Sequence, residues 1–201
     1  MARSRPDQTG GAAWVAFIRG INVGRAKRVA MADLRRLLED LGARDVRTVL
    51  NSGNAVYNAS KPFTAAALEK ALEERTGVRA SVVLIDAAAL AKIAAKNPLT
   101  DAAGAKENPG RLHVGFYTAA GAAKKLSALA RRDWSPEALA MGREAVYLWC
   151  PNGMANSDVV LEVGRTAGKE ITFRNWSTVQ KILSLASAAA TPQQPSRANR
   201  K

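Results

Sequence analysis

The sequence predicts an α+β fold of two ferredoxin-like halves, each of βαββαβ type with an antiparallel sheet, flanked by disordered termini. Three observations carry this. Strand and helix patterns alternate in the order β-α-β-β-α-β over the first half. A coarser version of the order recurs after residue 110. Between them Thr100 to Gly110 is polar and broken by Gly104, Pro109 and Gly110, as a connection between units is.

Each element follows from its pattern. Trp14 to Ile18 is a short apolar strand. Met31, Leu34, Leu37, Leu38 and Leu41 fall at helical spacing, closed by Gly42. Val46 to Leu50 and Asn54 to Tyr57 are strands joined at Ser52-Gly53. Ala65 to Arg75 is a helix stopped at Gly77, Ala80 to Ile85 a strand, and Ala87 to Lys96 a helix that Asn97-Pro98 ends. In the second half Leu112 to Tyr117 is a strand and Ala122 to Arg131 a helix. Ala138 to Met141 and Ala145 to Trp149 form a hairpin about Gly142-Arg143. Asp158 to Val163 is a short helix, Ile171 to Phe173 a last strand, and Ser177 to Ala186 an amphipathic helix with Val179, Ile182, Leu183 and Leu185 inward. No residue-level repeat is visible. The organisation is therefore a terminus over 1–12, a first half over 13–97, a connecting loop over 98–110, a second half over 111–190 and a basic tail over 191–201. Both ends are polar and low in apolar residues, and are expected to be disordered.

At 201 residues and 47% hydrophobic content the chain is long enough to bury a core. Forty of those residues are alanine, so packing rests on a sparser set of Val, Ile, Leu, Phe and Trp, while alanine favours helix. One cysteine, Cys150, excludes an intramolecular disulfide framework, and with the lone His113 it is too few soft ligands for structural zinc. No apolar run is long enough for a membrane span, and Met1 to Pro6 lacks the apolar stretch of a secretory signal. The expectation is a cytoplasmic protein without a membrane partner, a metal or a cofactor.

Three polar clusters stand out: Arg19-Gly20-Ile21-Asn22-Val23-Gly24, Asn51-Ser52-Gly53-Asn54, and Thr172-Phe173-Arg174-Asn175-Trp176-Ser177-Thr178. In the first, a strand runs into a glycine-punctuated loop. Backbone N–H groups freed at Gly20 and Gly24 suit an anion, with Arg19, Arg25, Lys27 and Arg28 adding charge; equally, the glycines serve an exposed turn. The spacing is neither the dinucleotide fingerprint nor the phosphate-loop motif. In the second, Asn and Gly suit a tight turn, and the same amides with Ser52 and Asn54 suit a polar ligand. In the third, Asn175 or Ser177 is a helix N-cap, and Arg174 beside a helix start suits a phosphate or carboxylate. The ligand-binding candidates are accordingly Arg19, Gly20, Asn22, Gly24, Arg25, Ser52, Gly53, Asn54, Arg174 and Asn175.

With Met31-Ala32-Asp33-Leu34 between the first two, these clusters resemble domain-of-unknown-function family 1697, a widespread bacterial family, over roughly residues 13 to 186. The resemblance implies an α+β fold with ferredoxin-like halves and no assigned activity. The chain departs from the family pattern at Arg25, where a second glycine is usual, at Asn51 for a common glutamine, and at Phe173 for a frequent threonine. Asp158 replaces a frequent lysine after Pro151-Asn152-Gly153, which removes the support for an anion site built on that lysine.

No catalytic constellation nominates itself. His113 lies within an apolar strand, Cys150 ends one, and the pairs Glu69 with Glu73 and Asp158 with Glu162 read as solvated helix faces. The net charge of +13 is distributed unevenly. Residues 13–60 carry eight basic against four acidic groups and 111–190 ten against six, while 191–201 hold three basic groups and no acid. Such an excess suits a phosphate-bearing partner, although arginine-rich genome composition would also produce it. The aromatic signature of an RNA-recognition sheet is absent. The leading expectation is a module binding an anionic ligand, nucleic acid or nucleotide, marked by a basic surface that includes Arg19, Arg25 and Arg174. The alternative is an enzyme holding a small phosphorylated or carboxylated substrate in a cleft between the halves, marked by a pocket lined by Asn22, Ser52, Asn54 and Arg174. A protein-interaction scaffold would instead show a large apolar patch.

Overall fold

The computed structural model describes residues 11–23, 28–102, 104–119 and 121–190, the side chains of 189 and 190 excepted. Both predicted disordered ends, apart from residues 11 and 12, lie outside that range. The chain runs β1 (Ala12–Arg19), α1 (Met31–Asp40), β2 (Arg44–Val49), β3 (Asn54–Ala59), α2 (Ala65–Thr76), β4 (Ser81–Asp86) and α3 (Ala87–Ala95). It continues through β5 (Leu112–Tyr117), α4 (Ala122–Leu126), β6 (Ala138–Met141), β7 (Ala145–Trp149), α5 (Asp158–Ala167), β8 (Ile171–Asn175) and α6 (Trp176–Ala190). The strands form two four-stranded antiparallel sheets, ordered β2-β3-β1-β4 and β6-β7-β5-β8. Each is the ferredoxin-like arrangement, so the fold class is α+β with two such units.

Alternation along the strands sorts side chains between layers. From β1, Ala16 and Ile18 join Leu34, Leu37, Leu68 and Leu72 in a core beneath α1 and α2. In the second half Val146, Leu148, Val159 and Val163 form the matching core under α4 and α5. The opposite faces look at each other. Val15, Phe17 and Val56 of the first sheet meet Val114, Phe116 and Tyr147 of the second, together with Leu90 and Ile93 of α3 and Val179 and Ile182 of α6. The two halves thus share one central core.

The register discloses a repeat that the sequence conceals. Trp14 pairs with Asp86, and His113 with Asn175. Asp86 and Asn175 do the same job: Asp86 Oδ1 accepts from Ala89 N at 2.8 Å at the start of α3, and Asn175 Oδ1 from Thr178 N at 2.9 Å at the start of α6. Counting from these anchors, Val15 opposite Ile85 corresponds to Val114 opposite Arg174, and Phe17 opposite Asn54 to Phe116 opposite Ala145. The two equivalent phenylalanines stack on each other, centroids 4.6 Å apart.

Several elements differ from the pattern expected of them. The helix expected over Ala122 to Arg131 stops at Leu126 and resumes as a single tight turn, Leu129–Arg131. Ser127 Oγ donates to Lys124 O at 2.8 Å and Trp134 Nε1 to Leu129 O at 2.8 Å, so carbonyls the helix needs are taken by side chains. Conversely α5 runs past Val163 to Ala167, because Val159, Val163 and Ala167 keep one face buried until Gly168 at φ +53° ends it. α6 begins at Trp176, so Asn175 is the cap and Ser177 lies inside the first turn. No helix among the described residues is long and apolar enough to cross a membrane.

Candidate functional site

The three polar clusters meet at the joint between the halves. Arg174, on the inward face of β8, extends across to the first sheet. Its Nε donates to Asn54 Oδ1 at 2.5 Å, Nη2 to Ile18 O at 2.8 Å with a longer approach to Gly53 O at 3.4 Å, and Nη1 to Phe173 O at 2.8 Å. Its guanidinium carbon also lies 5.4 Å from the centre of the Phe17 ring. Arg19 reaches the opposite way. From the end of β1 its Nη1 donates to Gly168 O at 3.1 Å and Ile171 O at 3.0 Å, in the turn that leads into β8. Each half therefore sends one arginine into the backbone of the other.

The supporting residues are held tightly. Asn54 is fully buried, and its Nδ2 donates to Val49 O at 3.0 Å and Ser52 Oγ at 2.9 Å, which closes the β2–β3 turn and turns Oδ1 to Arg174. Gly53, at φ +75°, accepts from Ile18 N at 2.7 Å; a Cβ here would come within 2.4 Å of Ile18 O, so only glycine fits. Asn22, at φ +55°, donates to Val29 O at 3.0 Å and Asn51 O at 2.8 Å and accepts from Val29 N at 2.9 Å. That residue fastens the loop after β1 to the β2–β3 turn. Asn51 contributes through its carbonyl, so the replacement of glutamine there leaves this contact intact.

Of the ten candidates, Ser52, Gly53, Asn54 and Arg174 are thus linked by hydrogen bonds through Asn54 and Arg174, Asn22 joins them by its bond to Asn51 O, and Arg19 ties the end of β1 to the turn before β8. Gly20 adjoins it at φ +89°, and Asn175 caps α6 next to Arg174. Gly24 and Arg25 lie outside the described residues. Most of the linked groups are spent on joining the halves. Arg19 is the exposed member, and Ser52 faces solvent too. The backbone partners Ile18 O, Gly168 O and Ile171 O carried no sequence signal, because any residue supplies a carbonyl.

The electrostatics of the joint are unusual. Neither Arg19 nor Arg174 bonds a carboxylate among the described residues; every acceptor is a carbonyl or amide oxygen. Desolvation, and then the neighbouring charge of Arg19, pull Arg174 down to about 10, which still leaves it protonated at neutral pH. The start of α5 is different: Val159 N donates to Glu137 Oε2 at 2.9 Å and Asp158 sits in the first turn. A carboxylate already serves that helix end.

A family model described as Protein of unknown function (DUF1697) matches residues 12–147. The chain belongs to the DUF1697 family. Among solved structures this DUF1697 chain is similar to the conserved bacterial protein SP0830 from Streptococcus pneumoniae, at 23% identity and a TM-score of 0.62, over 87% of this chain and 98% of that one. It also matches protein BT0572 from Bacteroides thetaiotaomicron at 14% identity and a TM-score of 0.21, over 85% and 96%. No curated protein matches it. The first likeness supports the two-sheet fold of this DUF1697 member.

The lone cysteine and the lone histidine of this DUF1697 chain are both buried. Cys150 is buried, and desolvation pushes its thiol up to about 11. No group of three His, Cys, Asp or Glu residues is arranged to hold a metal among the described residues. His113 is buried, with Nδ1 3.0 Å from Arg111 O, and desolvation holds its pKa below the ordinary value. It is therefore neutral in the fold and gains a proton on unfolding, so the unfolded state binds more protons as pH drops. Stability is expected to decline as pH falls through the unfolded value of about 6.5, until the folded imidazole titrates too. Urea midpoints for wild type and His113→Gln between neutral and mildly acidic pH check this: the variant should lack that part of the slope, and identical slopes would refute it.

Proposed function

We propose that this protein is a binding module for a phosphate-bearing anion, a nucleic acid or nucleotide, taken up at the joint where Arg19 meets the turn before β8. The observation that carries this reading is a pair of neighbouring guanidinium groups with no bonded carboxylate among the described residues. Hydrogen bonds to neutral carbonyls satisfy their N–H groups without cancelling the charge, and the two repel each other. A phosphate beside Arg19 supplies the missing counter-charge. Arg19 suits the task, being exposed and using only Nη1 on the backbone, so Nε and Nη2 remain for a bidentate contact. Lys169, also exposed, follows Gly168, the residue whose carbonyl Arg19 holds. Arg174 then acts as the fixed inner charge and structural tie, with Arg19 as the outer contact.

The module reading is preferred to an enzyme on two grounds. Three clefts lined by described residues, the largest about 470 Å³, do not include Asn22, Ser52, Asn54 or Arg174. Among the described residues the joint also offers arginines and amides but no group suited to general acid–base work near neutral pH.

The test is titration of the protein, with and without residues 191–201, into labelled single- and double-stranded oligonucleotides and a nucleotide at low and physiological salt. Wild type lacking the tail is expected to bind at physiological salt. Arg19→Gln should weaken binding by about tenfold, the worth of one charge-assisted contact, and reduce the salt slope by roughly one. Binding that disappears with the tail or with salt, or that ignores Arg19, overturns the proposal.

A further inference from the structure

A cleft of about 440 Å³ opens on the seam between the halves. The first half lines it with Trp14 of β1, Leu84 of β4, and Phe63 and Thr64 at the entry to α2; the second half lines it with Tyr117 and Thr118. The volume lies in the range of small-ligand sites. Its lining is aromatic, aliphatic and hydroxylic, without a charged side chain. Phe63 stacks on Tyr57 at 5.2 Å and remains partly exposed, so part of an aromatic surface is left over. Trp14 Nε1, on a lining residue, is buried with no hydrogen-bond partner among the described residues, as is Tyr57 Oη, on the ring stacked against Phe63 and outside the lining. An unmet buried donor is a cost that folds seldom carry without a reason.

The cleft and the basic joint share a wall. Thr118 N donates to Glu170 O at 2.9 Å and its Oγ1 to Lys169 O at 3.2 Å, while Arg19 Nη1 donates to Gly168 O and Ile171 O. One short turn, Gly168–Ile171, is thus gripped by a cleft residue and by the arginine assigned to phosphate. The arrangement is an uncharged aromatic slot with a cation at the far side of one turn.

We infer that this seam cleft receives one unpaired nucleobase of the phosphate ligand, with the attached phosphate held on Arg19. The inference rests on the anion-binding reading above and names what that anion carries. A nucleobase is flat and polarisable on its faces and polar at its edges, which matches an aromatic wall beside hydroxyls. A base paired within a duplex hides its faces in the stack, so duplexes are excluded from the cleft. The base comes either as a free nucleotide or as a residue of a single strand, and the measurement separates these sources.

Calorimetric titration of the full chain with adenosine monophosphate, adenosine and inorganic phosphate is the first arm. Adenosine monophosphate is expected to bind at least tenfold more tightly than either fragment. Phe63→Leu, which keeps bulk but loses the π-face, should weaken it roughly 5- to 150-fold and leave inorganic phosphate unchanged, with Phe63→Tyr restoring it. Arg19→Gln should bring adenosine monophosphate to the level of adenosine. The second arm repeats the Phe63 series with a short oligodeoxyadenylate, single-stranded and in duplex. A Phe63 effect on the strand without binding of the mononucleotide assigns the base to single-stranded nucleic acid and upholds the inference. If phosphate binds through Arg19 and neither nucleotide nor strand exceeds it, or if both ignore Phe63, the base site is overturned while the anion reading stands. If neither phosphate, nucleotide nor oligonucleotide binds through Arg19, both fall. Adenosine binding as tightly as its monophosphate overturns the link between cleft and Arg19.

Discussion

Arg174→Ala is expected to destabilise the protein by about 3 kcal/mol, because the change strands acceptors as well as removing a side chain. Asn54 Oδ1 is buried and is positioned by two bonds of its own Nδ2, so it has little freedom to find a new donor. Ile18 O and Gly53 O lose a charged partner at the same time. Hydrogen bonds to charged groups contribute about 1.5–3 kcal/mol, and an acceptor left unsatisfied costs about 1–3 kcal/mol. For a chain of this size the loss corresponds to a fall in Tm of roughly 6–12 °C. The equivalent residues of the repeat supply a control, since Ile85 corresponds to Arg174 and Ala145 to Asn54. The double variant Arg174→Ile with Asn54→Ala should therefore cost less than the two single changes added together, since the Arg174–Asn54 bond is lost only once, while Asn54→Ala also gives up its bonds to Val49 O and Ser52 Oγ. Urea denaturation of the single and double variants checks this. An Arg174→Ile cost below about 1 kcal/mol, or single costs that simply add in the double variant, would show that Arg174 is not the tie between the halves. Arg19→Ala, at an exposed site, should cost only about 1 kcal/mol.

Phe17→Ala should cost more, about 3–5 kcal/mol, as expected for a fully buried phenylalanine. Its ring stacks on Phe116 and lies beneath the Arg174 guanidinium, so two contacts between the halves go together. A double-mutant cycle with Phe116→Ala is expected to give a coupling of about 0.5–1.5 kcal/mol. Because the shared core draws on both sheets and on α3 and α6, fluorescence and far-UV circular dichroism should report one coincident transition in wild type. Two separated transitions in wild type, or additive single effects, would mean that the halves are held together elsewhere.

The fold was legible where side-chain period decides it. Leu34, Leu37 and Leu38 at helical spacing, and the apolar runs of β1 and β5, are local signals that tertiary structure had no cause to override. Helix lengths were less so. The break after Leu126 depends on Ser127 and Trp134 taking carbonyls, and the persistence of α5 to Ala167 depends on which face meets the sheet. Arg174 and Asn54 stood out as polar residues in apolar company, yet whether an arginine meets a ligand or a carbonyl is decided by how two sheets face each other. The repeat was hidden because equivalent positions hold unlike residues, Trp14 for His113 and Ile85 for Arg174. The common feature is a backbone register together with a cap, Asp86 or Asn175. The seam cleft had no sequence signal, since Trp14, Phe63 and Thr118 come from three separate segments and each is an ordinary core or loop residue on its own.

In its inward face the repeat is even where Val15 answers Val114 and Phe17 answers Phe116, and uneven at the Arg174–Asn54 bond. A duplicated protein faces a problem of self-recognition, since two first halves from different molecules present much the same apolar surface to each other that a first and a second half do. In such a mispairing Asn54 would find an isoleucine, Ile85, where Arg174 belongs, and its buried oxygen would go without a donor. The Arg174–Asn54 bond therefore works as a key that tells one half from its copy. It favours the pairing of unlike halves within a chain and penalises the pairing of like halves between chains, at a position where an apolar contact would have accepted both.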